Sequence, residues 1–266
     1  MDSNKMLKRI AFWAYGLVCY AAFLVTIVYA IGFVGNFWQA LGWEGSLFRS
    51  MDVGTTPIEQ ALPVDAALLG LFAVQHSVMA RVGFKRWWTR IVPPALERST
   101  FVLCASLCLA LLYWQWRPLG FTVWQVSSGI SSFVLIGVSL AGWLIVVLST
   151  FMIDHAELFG LRQVARAFRE VPDAGAGFST PAFYRAVRHP IYLGFIIAFW
   201  ATPIMTMGHL FFAAATTAYI LIAIQLEERD LIARYGESYR AYRRQVRMLL
   251  PLPSRKPIVP LPITKR

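Results

Sequence analysis

The chain has 266 residues, 58% of them hydrophobic and only 15% charged, with a formal net charge of +11. That balance excludes an ordinary soluble domain, because the apolar residues come in runs long enough to cross a bilayer. The basic excess lies beside those runs, which marks lipid headgroups and cytoplasmic loops and excludes nucleic acid as the partner.

Lys5, Lys8 and Arg9 precede an apolar run from Ile10 to about Val34, too long for a signal-peptide core and read as an uncleaved first span. Residues 35–60 read as a loop, with Glu44, Asp52 and Glu59 against one Arg49. A second span runs from about Leu62 to Ala80 and contains Gln75 and His76. The loop after it is basic, with Arg81, Lys85, Arg86, Arg90 and Arg98, and its Trp87-Trp88 pair suits the headgroup region. Span three covers roughly Ser99 to Trp116, and span four about Gly129 to Ile153. Residues 154–190 form a polar connection with five arginines and a Pro/Gly-rich middle from Val171 to Pro181; Gly175-Ala176-Gly177 within it reads as a flexible linker. Cys19, Cys104 and Cys108 lie in apolar runs, without metal-ligand spacing, and read as packing residues.

The apolar run from Ile191 to Leu226 is 36 residues long, against ~20 for one span, and Pro203 and Met207-Gly208-His209 interrupt it. One span would send outside a tail that carries ten of the chain's 25 Lys and Arg. A tight hairpin keeps the tail inside and divides the basic residues 23 to 2 in favour of the cytoplasmic segments. His209 then sits at the hairpin tip, facing the outer aqueous side. Beyond Glu227, Leu231, Ile232, Tyr235, Tyr239, Tyr242 and Val246 share a helical face, with Arg234, Arg240, Arg243 and Arg244 off it and a break at Gly236. The end, Pro251 to Arg266, is proline-rich and extended.

The predicted fold class is all-α: a polytopic integral membrane helical bundle of five to six segments, with a C-terminal helical hairpin and an amphipathic cytoplasmic helix. It forms one domain, with a four-span bundle over 1–153 and a cofactor-binding part over 154–266. Both termini are expected in the cytoplasm.

The densest chemistry is in Arg188-His189-Pro190-Ile191-Tyr192-Leu193-Gly194. Pro190 suits the first turn of a helix, whose free amides and positive dipole end then favour an anion beside Arg188. Gly194 allows close approach of a ligand or another helix. Glu227-Glu228, at the far end of the hairpin, return to the same face, where carboxylates suit an ammonium or hydroxyls. A ligand with a carboxylate, an amine and a ribose satisfies both ends, and S-adenosylmethionine is such a ligand.

Tyr184-Arg185-Ala186-Val187-Arg188-His189-Pro190-Ile191-Tyr192-Leu193-Gly194, then Glu227-Glu228, then Tyr235-Gly236-Glu237-Ser238-Tyr239-Arg240-Ala241-Tyr242 resembles the signature of integral-membrane methyltransferases, among them the isoprenylcysteine carboxyl methyltransferases and phospholipid N-methyltransferases. It covers about the last third of the chain. Gln75 to Arg81, Glu97-Arg98-Ser99-Thr100 and Asp154 to Gln163 resemble the bacterial methanethiol S-methyltransferases, relatives of NnrU-type membrane proteins. The resemblance implies S-adenosylmethionine as methyl donor, held around Tyr184, Arg188, His189, Tyr192, Gly194, Glu227 and Glu228. It implies a small thiol as acceptor and the bacterial inner membrane as location. A larger thiol, a lipid amine or a carboxylate is the alternative acceptor, and a non-enzymatic NnrU-type role the alternative of another class.

The competent nucleophile is the thiolate, and an alkyl thiol near the cysteine reference, about 8.5, is mostly protonated at neutral pH. His155 with Asp154 is the first candidate base, His76 the second, and His189 a third if the cofactor leaves it free. Each has a plainer reading: a helix terminus for Asp154-His155, a helix–helix hydrogen bond for His76. Glu97-Arg98 reads as a local ion pair, Phe159 and Leu161 as packing, and the tyrosines at 235, 239 and 242 as interface or packing residues.

Overall fold

The computed structural model describes residues 3–43, 45, 47–127, 129–172 and 180–251. The expected linker at Gly175–Gly177 and the extended tail beyond Pro251 lie outside the described residues.

Five helices are long and apolar enough to cross a membrane: α1 (Ser3–Val34), α3 (Ile58–Ala80), α5 (Pro94–Gln115), α6 (Gly129–Ile153) and α11 (Met207–Tyr235). Short helices stand between them: α2 (Phe37–Ala40), α4 (Val82–Trp88), α7 (His155–Leu158), α8 (Leu161–Arg169), α9 (Phe183–Ala186) and α10 (Pro190–Trp200). α12 (Glu237–Gln245) follows α11 across Gly236, whose φ of 57° suits a residue without a Cβ. Val18, Val25 and Val28 on α1 are exposed, as lipid-facing side chains must be. The protein is an integral membrane protein with an all-α fold. Within the polar connection of residues 154–190, the described residues include three short helices, α7, α8 and α9.

Two compact units divide the chain. The first comprises α1–α5, β1 (Thr122–Gln125), α7, α8, β2 (Ile204–Thr206) and α11 through Phe212. Within it α5 packs on α1 and α3, and α8 lies on α1 where Gly16 meets Val164. β1 and β2 pair antiparallel, with Thr122 opposite Thr206. The second unit comprises α6, α9, α10, α11 from Ala213, and α12.

The long apolar run does fold as a hairpin. The helix breaks at Ala201–Thr206, and α11 returns so that Trp200 donates to Thr217 (3.0 Å) and Tyr192 to Glu227 (3.0 Å). At 11 residues α10 reaches about 16 Å, half a hydrocarbon core. It packs against α6 through two glycines: a Cβ on Gly142 would lie 2.7 Å from the Gly194 carbonyl, and one on Gly194 would lie 2.6 Å from the Gly142 carbonyl. Ser139 donates to the Ala198 carbonyl (2.9 Å), and Trp143 meets Phe195 and Phe199 edge-on.

His209 corrects its expectation. It is fully buried in the first unit, its Nδ1 2.9 Å from Asp52 Oδ2. Asp52 also accepts from Asn36 (2.6 Å) and Thr206 (2.5 Å). A buried imidazole is tolerated because a loop carboxylate satisfies it. Burial pushes the Asp52 carboxyl up, but hydrogen bonding and charge from His209, with Asn36 and Thr206, outweigh burial and hold it below the usual carboxylate range. A depressed folded value contributes stability that is fully present above about pH 4 and is lost as pH falls through the folded value. Asp52→Asn is therefore expected to lower the thermal midpoint at neutral pH and to flatten the acid limb of stability, read by unfolding in detergent from pH 7 to pH 3.

Candidate functional site

Pro190 stands at N1 of α10 with His189 as the N-cap, so the chain enters the helix with Arg188 and His189 held just outside it. Residues after α12 hold that approach: Arg188 N donates to the Arg247 carbonyl (2.8 Å), His189 N to the Met248 carbonyl (3.2 Å), and Val187 bridges Arg247.

Glu228 on α11 is the hub. Its side chain is 3% exposed; it accepts from Arg188 Nε (2.7 Å) and His189 Nε2 (3.1 Å) and pairs by charge with Arg243, whose Nε lies 3.2 Å away. Arg188 Nη1 donates to the carbonyls of Val246 (2.5 Å) and Arg243 (3.3 Å). A carboxylate this dry is stable only because cations and ring N–H groups surround it. Arg188 is thus an internal partner of Glu228 and of the chain after α12.

Glu227 differs. Its side chain is 44% exposed; it accepts from the Tyr192 hydroxyl at 3.0 Å and lies 3.8 Å from His189 Nδ1. That exposure leaves the carboxylate accessible to an ammonium or hydroxyl partner. The Tyr184 hydroxyl is buried without a hydrogen-bond partner among the described residues. Burial, reinforced by the Glu227 charge, pushes that phenol up and keeps it a proton donor. Tyr242 donates to the Tyr184 carbonyl (2.5 Å), and burial likewise pushes the Tyr239 and Tyr242 phenols up. Tyr239, Tyr242 and Val246 form a small core with Leu231, Ile232 and Tyr235, the face that helical spacing selects.

The structure therefore brings together Tyr184, Arg188, His189, Tyr192, Glu227 and Glu228. Gly194 serves the approach of a helix, since its open side is filled by α6. Arg243, read from spacing as off the packed face, turns in to Glu228, and the carbonyls of residues 246–248 complete the site. No periodic signal marks those carbonyls. His189 Nε2 is engaged by Glu228.

The other base candidates lie elsewhere. Asp154 follows α6 in the second unit; His155 opens α7 in the first unit, where its Nε2 lies 2.8 Å from the Tyr20 hydroxyl. Tyr20, not the neighbouring aspartate, is the partner shown for that nitrogen. His76 lies on α3, its ring against Phe72 (5.2 Å) and Phe101 (4.9 Å), with Nδ1 buried and unpartnered among the described residues. The expected Glu97–Arg98 pair does not form: Glu97 lies 4.0 Å from Lys85, while Arg98 donates Nε to the Leu158 carbonyl (2.6 Å).

Removing the hub carboxylate strands two arginines. Glu228→Ala is expected to cost about 3–5 kcal/mol of stability, and Glu227→Ala far less. Thermal unfolding of the two variants side by side checks this; equal losses would overturn the division of roles.

Residues 109–246 match a family model described as a protein of unknown function (DUF1295). The chain is 55% identical to methanethiol S-methyltransferase 2 of Bradyrhizobium diazoefficiens, over 92% of each chain. It is 54% identical to methanethiol S-methyltransferase of Mycobacterium tuberculosis, over 94% of this chain and 99% of that one. Nurim of Xenopus laevis is 29% identical over 82% of this chain and 81% of its own length. No solved structure matches the chain.

Proposed function

The chain belongs to the methanethiol S-methyltransferase family, and we propose that it transfers a methyl group from S-adenosylmethionine to the sulfur of methanethiol, giving dimethyl sulfide and S-adenosylhomocysteine. When bound, S-adenosylmethionine supplies a methyl carbon already activated by a positively charged sulfur. The observation that carries the reading is a half-exposed Glu227 on α11 together with a buried Tyr184 hydroxyl on α9 that has no hydrogen-bond partner among the described residues.

Those groups fit the cofactor. Glu227 and Tyr192 offer an acceptor and a phenol to an ammonium or ribose hydroxyl, and Tyr184 offers a donor lacking a partner. The first-turn amides of α10 and the half-exposed Arg243 favour a carboxylate. Glu228, Arg188 and His189 act as the frame, fixing where α10 and α11 present these groups. Positioning of this kind is worth up to about 7–11 kcal/mol of barrier.

The thiol must lose its proton. Of the two candidate bases we favour His76, whose Nδ1 is buried and has no hydrogen-bond partner among the described residues, whereas His155 Nε2 lies against the Tyr20 hydroxyl. In its Nε2–H tautomer His76 takes the proton while the electron pair stays on sulfur. The 23-to-2 distribution of basic residues supports cytoplasmic termini and a place in the bacterial inner membrane.

Calorimetry with S-adenosylmethionine and S-adenosylhomocysteine on detergent-purified protein, followed by headspace detection of dimethyl sulfide, tests this. Glu227→Gln and Tyr184→Phe are each expected to weaken binding about 10–100-fold with the fold retained. Binding without dimethyl sulfide would redirect the reading to a larger acceptor. Folded protein that binds neither nucleoside would overturn it.

A further inference from the structure

Arg98 sits in the second turn of α5, in an apolar helix long enough to cross a membrane, where a guanidinium needs a reason to be kept. Its Nε is spent on the Leu158 carbonyl, and its carbon lies 4.8 Å above the Phe101 ring. Glu97 and Glu157 attract it at longer range, but among the described residues neither comes within ion-pair distance; Glu157 goes to Arg166 at 3.4 Å. The Nη hydrogens have no partner among the described residues. His76 packs against the same Phe101 ring at 4.9 Å. Phe101 and Met79 form a buried cluster with Trp88 against it, and Trp88 Nε1 and Gln75 Oε1 are, like His76 Nδ1, buried and without hydrogen-bond partners among the described residues.

One aromatic cluster thus carries an uncommitted cation, an unpartnered imidazole nitrogen and an unused indole N–H. Unsatisfied polar atoms are costly in so apolar a setting, and a single small ligand can satisfy several of them. The ligand must be anionic for Arg98, and soft and apolar enough to lie among Phe101, Met79 and Trp88, where sulfur–aromatic contacts are favourable. A short-chain alkyl thiolate has these properties.

We propose that Arg98 binds the acceptor sulfur as its thiolate, with His76 receiving the proton. The S–H bond breaks, its electron pair stays on sulfur, and the proton passes to His76 Nδ1 and then to water. This rests on the reading of the chain as a thiol methyltransferase and adds the residue that makes the thiol acidic enough to react at neutral pH.

The test is the pH dependence of kcat at saturating methanethiol, which reports ionisation in the bound complex, in full-length detergent-purified protein. With Arg98 present, kcat is expected to be flat near pH 7. In Arg98→Gln it is expected to fall about 10–100-fold at pH 7 and to recover about tenfold per pH unit toward pH 9, as the bound thiol's midpoint rises by about 1–2 units. Arg98→Lys is expected to keep most of the flat profile. Affinity for S-adenosylhomocysteine in all three serves as the check on folding. A loss in Arg98→Gln that is equal at every pH, or no loss, would overturn the proposal. Wild-type protein that neither binds the nucleoside nor forms dimethyl sulfide would instead overturn the functional reading beneath it.

Discussion

The second unit depends on keeping one carboxylate dry. Glu228 is almost wholly withdrawn from solvent, and moving an ionised group there costs several kcal/mol unless partners replace its water. Arg188, Arg243 and His189 do so from two stretches: the approach to α10, which supplies Arg188 and the N-cap His189, and α12. Because Arg188 also grips the carbonyls of Arg243 and Val246, the pairing ties the end of the described chain to the start of the hairpin. Neighbouring glutamates consequently diverge in role. Glu228 holds the frame, and Glu227, facing outward, is left for chemistry.

Bilayer physics explains the unusual features around the hairpin. A helix of 11 residues stops short of the far interface, and non-helical backbone at depth must still satisfy its polar groups. Here the segment after α10 does so by pairing: Pro203 accepts from Val126 N, and Ile204–Thr206 pair with Thr122–Gln125. Asp52, Thr206 and His209 close their own polar set beside that ribbon, in a helical protein whose strands would otherwise look incidental.

Much of this was legible in the residues. Hydropathy marked the four N-terminal spans to within seven positions at each end, and run length, the interruptions at Pro203 and Met207–His209 and the charge asymmetry together chose a hairpin over a single long span. Arg188 to Gly194 and Glu227-Glu228 stood out because ionisable groups beside lipid are expensive. What stayed hidden were contacts without periodicity. Asp52 meets His209 across 157 positions, and Tyr20 meets His155 across 135. Arg243 looked solvent-facing because helical spacing reports an apolar stripe and says nothing of a charged side chain that bends toward a buried partner. The carbonyls of residues 246–248 have no sequence signature, since any residue supplies one.

The Gly142–Gly194 seam has a consequence for the azimuth of α10. Successive residues turn by about 100° on a helix, so Tyr192 and Gly194 stand about 200° apart. With Gly194 pressed on α6, Tyr192 points away from that helix and toward Glu227 on α11. The two glycines set the rotational phase of the short helix, and Ser139 and Trp143 hold α10 on α6 in that phase. A side chain at either position would turn α10 about its axis and carry the Tyr192 phenol off its carboxylate, so selection for hydrogen-bonding geometry on one face of α10 acts on the absence of a methyl group on the other.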